Sequence, residues 1–136
     1  MKTFRLTLSD ATRRESFEEV VSFVGEDASG SFGILAGHAR LMTALLFGLA
    51  RFRRADGHWR YLAFPGALLY FVNDELSIST RRYLLDEDYG RISAALQEQL
   101  FAEEEDLRIM KESLHRMEEE LLRRLWEMHR TAGGGL

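Results

Sequence analysis

The chain has 136 residues, 46% of them apolar and 29% charged, and its 18 basic and 22 acidic side chains leave a formal net charge of −4. That length holds one domain with an appendage, not two ordinary domains. The absence of cysteine excludes a disulfide framework and a thiolate zinc site, and the overall acidity argues against a nucleic-acid footprint.

The chain opens on alternation: Phe4, Leu6 and Leu8 against Thr3, Arg5 and Thr7. This reads as a strand, because a signal peptide needs a basic start followed by an unbroken apolar core. The period-2 pattern continues to about Thr80, cut by turn signals at roughly 8–12-residue spacing, as in an all-β sandwich or barrel. Strands are expected at Thr3 to Ser9, Phe17 to Val24, His38 to Leu46, Leu49 to Arg54, His58 to Phe64, Leu68 to Val72 and Leu76 to Thr80. Gly30, Gly33 and Gly37 bracket short apolar runs and imply a compact β corner. Asp56-Gly57 predicts a two-residue hairpin turn, with Pro65-Gly66 and Asn73-Asp74 supplying the next two connections. Core candidates are Leu6, Leu8, Val21, Phe23, Ile34, Leu41, Phe52, Leu62, Leu76 and Ile78.

Arg51, Arg53, Arg54 and Arg60, interleaved with Phe52 and Trp59, form the one basic patch and read as a solvated sheet face. The uncharged run Tyr61 to Val72 contains Pro65-Gly66 and falls well short of the roughly 20 apolar residues that span a bilayer. A soluble, cytoplasmic chain is expected.

After Leu85 the period changes. Asp86, Glu87 and Asp88 crowd an expected first helical turn, where carboxylates meet the positive end of the helix dipole. No glycine or proline lies between Arg91 and Arg130. Ile92, Leu96 and Leu100 make one apolar stripe. Leu107, Met110, Leu114, Met117, Leu121, Leu125 and Met128 make another at spacings of 3 or 4. Glu104 with Arg108, Glu112 with Arg116, Glu119 with Arg123 and Glu120 with Arg124 stand in the favourable i, i+4 order. At the acidic patch Glu103 to Asp106 the helix either folds into a hairpin or runs on for up to about 60 Å at 1.5 Å per residue. Gly133-Gly134-Gly135 reads as a fraying end. The expected fold is thus α+β: a β sandwich over residues 1–85, a helical hairpin or single long helix over 86–130, and a flexible tail over 131–136. Residues 1–85 carry 11 basic and 9 acidic side chains, whereas 86–136 carry 7 and 13, so the two parts also differ in charge.

Catalytic and metal signatures are missing from the sequence. Gly30 to Gly37 lacks the Gly-Lys-Ser/Thr that closes a phosphate-binding loop. His38, His58, His115 and His129 show no metalloprotease spacing, and no nucleophile elbow occurs. Glu112 and His115 form half of a di-iron motif whose other ligands one chain of this size cannot supply. An enzyme, a metal and a cofactor are all unexpected.

The stretch Gly30-Ser31-Phe32-Gly33-Ile34-Leu35-Ala36-Gly37-His38-Ala39-Arg40-Leu41-Met42-Thr43 resembles the epsilon subunit of F-type ATP synthases. That family carries a Gly-x-x-Gly-Ile-x-x-Gly-His-Ala-x-Leu-x-Thr signature in its β domain, matched here position by position. Arg40 stands where the family often has proline. A weaker echo runs through Leu62 to Thr80, and the C-terminal third matches in pattern only.

The resemblance implies a non-catalytic rotor subunit. Its β domain binds the gamma subunit and sits on the polar loops of the c-ring, coupling proton or sodium translocation to ATP synthesis or hydrolysis elsewhere. Its helices regulate hydrolysis by rising toward the alpha and beta subunits, and the complex lies at the cytoplasmic face of the inner membrane. Position-wise, Asp10, His38, Leu41 and Thr43 would face gamma. Ser29, Gly30 and Ser31 would face the c-ring, with Ser31 replacing a frequent acidic residue for which Glu26 or Asp27 could substitute. Asp88 and Arg91 keep the charged pair of a motif through which some bacterial members bind ATP. Leu107, Leu114 and Leu121 would pack the helices on gamma or on the β domain. The rival reading is a free-standing β-sandwich adaptor that dimerises through a C-terminal coiled coil.

Overall fold

The structure, a computed structural model, describes residues 2–134, with side chains described as far as Arg130. Nine strands occur among the described residues: β1 (Phe4–Ser9), β2 (Arg14–Asp27), β3 (Gly30–Leu35), β4 (Leu41–Leu45), β5 (Gly48–Arg54), β6 (Trp59–Phe64), β7 (Ala67–Val72), β8 (Glu75–Thr80) and β9 (Leu84–Asp86). They are followed by α1 (Tyr89–Ala95), a π-helical segment (Leu96–Phe101) and α2 (Ala102–Gly134). The chain up to Phe101 forms one compact unit and Ala102 onward forms another.

Strand order is β1-β8-β7-β4-β2-β5-β6-β9, with β3 on β2. A further β1–β2 pairing closes the first five into a ring, and the 14-residue β2 carries the sheet onward into β5, β6 and β9. The strand β1 runs antiparallel to β2 but parallel to β8, with Leu6 opposite Leu76 and Leu8 opposite Ile78. Between the layers lies one apolar core. Leu6, Leu8, Phe23, Ile34, Phe52, Leu62, Leu76 and Ile78 are all buried, as alternation predicts.

Two core assignments shift. Val20 is buried in place of Val21, because β2 bulges between Val20 and Ser22 where it pairs with β5. At the bulge Glu19 takes φ +56°, and its carbonyl accepts the Ala55 N–H at 2.9 Å. One inserted residue exchanges the faces of all that follows. Leu41 is only partly buried, packed against the core from the end of its strand.

The turns also need correcting. The strand β5 ends at Arg54 and β6 starts at Trp59, so Asp56-Gly57 sits within a four-residue connection rather than forming a two-residue turn. Gly57 there takes φ +85°, and Asp56 accepts the His58 N–H at 2.9 Å. The strict two-residue turn is Asn73-Asp74, closed by the Val72–Glu75 pair, with φ of +50° and +57°. The expected glycine corner contains a full strand, β3, hairpinned onto β2, and β4 begins only at Leu41.

Asp86 does not start a helix. It belongs to β9 and pairs with Tyr61, while Asp88 caps α1 by accepting the Arg91 N–H at 2.9 Å. Ile92, Leu96 and Leu100 then bury against Ala63, with Phe47, Leu49, Tyr61 and Leu84 around them. Their even spacing of four drifts around an ordinary α-helix. The wider π segment keeps Leu100 over the sheet. Beyond it the chain makes no hairpin. The helix α2 runs unbroken through the acidic patch and takes in Gly133 and Gly134, about 50 Å at 1.5 Å per residue. Gly135 and Leu136 lie outside the described residues. Along α2, Arg108 bonds Glu105 and Glu112, each at 2.9 Å, and Arg124 bonds Glu120 at 2.8 Å.

A candidate subunit interface

The outer face of the β4–β7–β8–β1 layer is the feature that asks for a partner. Cross-strand neighbours share a face, so one row runs Met42, Tyr70, Ser77, Thr7 and Ser16, and the next runs Ala44, Leu68, Ser79 and Ser9. None of these nine side chains carries a charge. Met42 is 72% exposed and Leu68 65%. Both β4 and β7 put apolar residues on both faces, a pattern of strands covered on both sides, yet only the inner face is covered. At the rim Arg40 lays its guanidinium on Tyr70, with Nε 3.0 Å and Nη2 2.5 Å from the phenol oxygen. The residue that departs from the expected proline therefore anchors the edge of the face.

The predicted contact residues divide between the two ends of this layer. At one end Leu35 accepts the His38 N–H at 3.1 Å across a turn in which Gly37 takes φ +81°. The Gly37 N–H donates to Asp74 Oδ1 at 2.6 Å, so the turn is tied to the β7–β8 hairpin. The exposed His38 ring stands edge-on to Phe71 at 5.9 Å. Leu41 lies nearby but points inward, and Met42 beside it is the residue on the open face.

The other end holds the Ala28-Ser29 turn. Asp27 Oδ1 accepts from the Ser29 N–H at 2.9 Å and the Ser29 hydroxyl at 2.5 Å, while Oδ2 accepts the Thr43 hydroxyl at 2.7 Å. The Ser29 hydroxyl, then that of Thr43, holds the Asp27 carboxyl below its ordinary range. Thr43 is thus joined to the Ser29 turn and not to His38. Gly30 opens β3 at φ +119°, and Ser31 sits opposite Glu26. Asp10 also lies toward this end, after the Ser9–Ser79 pair. Its Oδ1 takes the Thr12 and Arg13 N–H groups at 2.9 and 3.0 Å, and the Thr12 bond is the main reason its pKa is lowered.

Asp88 and Arg91 are both engaged in the start of α1. Asp88 caps the helix, while Arg91 grips Asp86 with Nε and Nη2 at 3.0 and 2.8 Å. This grip lowers the Asp86 pKa to about 2. A carboxylate depressed in the folded state stabilises fully above its unfolded value near 3.8, and that contribution disappears as pH falls toward 2. The Asp86→Asn variant is expected to lose less stability than the parent between pH 4 and pH 2, as urea melts at each pH will register. Leu107, Leu114 and Leu121 lie on one stripe of α2, with Leu114 53% and Leu121 58% exposed.

A β-sandwich with an exposed uncharged patch on one layer and tied loops at both of its ends offers a surface suited to docking. The family described as ATP synthase, Delta/Epsilon chain, beta-sandwich domain matches residues 3–85. Relatives include the ATP synthase epsilon chain 2 of Cereibacter sphaeroides, 36% identical over 107 residues, covering 78% of this chain and 73% of its own length. The epsilon chain 2 of Paraburkholderia xenovorans is 32% identical over 97 residues, 70% of each chain. A chain of the Euglena gracilis mitochondrial ATP synthase, solved with OSCP, F1 and c-ring, superposes with TM-score 0.58 at 20% identity. That match covers 71% of this chain and 62% of the other. A central-stalk/c-ring chain of the Tetrahymena thermophila enzyme gives 0.52 at 12% identity, covering 61% and 66%. The present chain belongs to the epsilon-chain family of ATP synthase, a subunit that is not itself an enzyme.

Proposed function

We propose that this chain is a central-stalk rotor subunit that binds the gamma subunit through the outer β4–β7–β8–β1 face and rests on the c-ring through the Ala28-Ser29 turn. The observation that carries the reading is the exposed uncharged patch around Met42 and Leu68, bordered by Arg5, Glu75 and Arg40, since apolar patches of this kind on a small domain mark partner surfaces. Its two ends suit two partners: the His38 turn, braced by Asp74, continues toward gamma, and the Asp27-bound Ser29 turn supplies the c-ring contact. Among the described residues no helix is long and apolar enough to cross a membrane. On this reading membrane association is indirect, at the cytoplasmic face, and the complex translocates the ion. The purified chain should hydrolyse no ATP and should bind the cognate gamma subunit below micromolar Kd. Failure of a pull-down at both low and moderate salt removes this reading.

The helices regulate weakly. Residues 86–106 hold eight acids against Arg91 alone, and residues 107–136 hold six basic side chains against five acids. In a helix rising toward acidic loops of the beta subunit, the start from Glu103 to Asp106 would meet like charge, which costs several kcal/mol when desolvated, and the nearly neutral remainder would offset little of it. Deleting residues 107–136 should change ATP hydrolysis by the assembled complex less than about threefold, or under roughly 0.7 kcal/mol. A tenfold activation in the steady-state assay would show a populated inhibitory state. Nucleotide binding through Asp88 and Arg91 is not favoured, because the cap and the Asp86 grip occupy both.

A further inference from the structure

Within α2 itself, Met110, Leu114, Met117, Leu121, Leu125 and Met128 form an apolar stripe whose members are each more than half exposed. A helix of 33 residues with such a stripe gains little from propensity and much from a partner surface. We infer that in the free chain α2 pairs with α2 of a second copy, antiparallel, about a two-fold axis beside Met117.

The register is self-complementary. When the helices run in opposite directions about an axis between Met117 and Glu118, Leu107 comes level with Met128, Met110 with Leu125, and Leu114 with Leu121. Six of the seven stripe residues then meet an apolar residue, and Met117 lies beside its own copy at the axis. Charge selects the direction. Glu103, Glu104, Glu105 and Asp106 crowd one end of α2, while Arg123, Arg124 and Arg130 lie toward the other. A parallel pair would bring eight carboxylates together, whereas the antiparallel register sets Glu105 level with Arg130, Arg108 with Glu127 and Glu112 with Arg123, and also opposes the helix dipoles. Lys111 comes level with Arg124, whose charge Glu120 already meets at 2.8 Å. The cost is Glu118, which faces its own copy near the axis. Seven stripe residues on each copy, surrendering about 90 Å² apiece, reach roughly 1,200 Å², where specific interfaces begin.

The cysteine-free sequence makes the test direct. In the full chain, oxidised Met117→Cys should give a covalent dimer and Leu107→Cys alone should not, because its two copies would stand about 30 Å apart along the axis. An equimolar mixture of Leu107→Cys and Met128→Cys should cross-link. Leu114→Asp should raise the dimer Kd at least tenfold in sedimentation equilibrium, with helical circular dichroism kept as a check on folding. Cross-linking of Leu107→Cys alone would mean a parallel pair and overturn the inference. So would a wild-type chain that stays monomeric to 100 µM, which would leave the stripe to another subunit. Neither result bears on gamma binding by the β-domain face, which the pull-down reads separately.

Discussion

Replacing Leu68 by aspartate should weaken binding to the gamma subunit at least a hundredfold while leaving the melting temperature within a few degrees of the parent. Leu68 is 65% exposed, so the substitution costs the isolated domain little. In a complex, however, the carboxylate would be desolvated among Ala44, Ser79 and Met42, while Arg40 is held on Tyr70 and Arg81, at the edge of the same hollow, already has a partner. Loss of an apolar contact of about 1.5–3 kcal/mol, added to the cost of desolvating that charge, exceeds the roughly 2.8 kcal/mol that a hundredfold represents. Met42→Asp should behave alike, and Leu46→Asp, at the end of β4, should serve as the milder control. Calorimetric titration of the cognate gamma into each variant measures this. Unchanged affinity in both face variants would move the gamma site off this layer.

The second large effect is expected at α1. A fragment ending at Phe101 should melt like the full chain, whereas one ending at Leu85 should melt at least 10 °C lower or fail to fold. The shorter fragment truncates β9 and removes Ile92, Leu96 and Leu100, three side chains that cover Ala63 and its neighbours. At about 1.5–3 kcal/mol each, their gross burial is a large part of the roughly 5–15 kcal/mol by which whole domains are stable, even after the cost of ordering the helix. Within the full chain, Leu100→Ala should cost about 2–5 kcal/mol by denaturant titration. An 85-residue fragment with the parental melt would return the domain boundary to the position where composition places it.

Much of the β domain can be read from the sequence because its signals are local. Alternation exposes Leu6, Leu8, Leu76 and Ile78, and Asn73-Asp74 announces its turn with residues that tolerate positive φ. The exchange of Val20 for Val21 cannot be read this way, because the bulge at Glu19 answers to two partners at once, β1 on one side and β5 on the other. The strand β9 hides for a related reason: Asp86 looks like a helix-start acid until Tyr61 pairs with it. The open face is legible only in hindsight. Alternation with Leu41 turns Met42 away from the core, but only the packed layer shows that Met42 and Leu68 stand together as one exposed patch. Of the proposed contacts, His38 and Ser29 stand out in the glycine-rich stretch, while Asp27, which joins Ser29 to Thr43, has no signature beyond its charge.

The parallel pairing of β1 with β8 has a consequence for synthesis. Leu6 and Leu76 are neighbours in the finished sheet but seventy residues apart in the chain. A nascent chain therefore exports its first strand long before the partner that closes the ring exists. Until β8 has emerged, Phe4, Leu6 and Leu8 have β2 to pair with along one edge and an unpaired edge on the other, and such non-local closure is slow and exposed to misassociation. The ring is closed only after translation has passed Thr80, and α1 follows later still. Mutations that slow the closing step should show themselves first as lost yield in the cell and only later, if at all, as a weaker rotor.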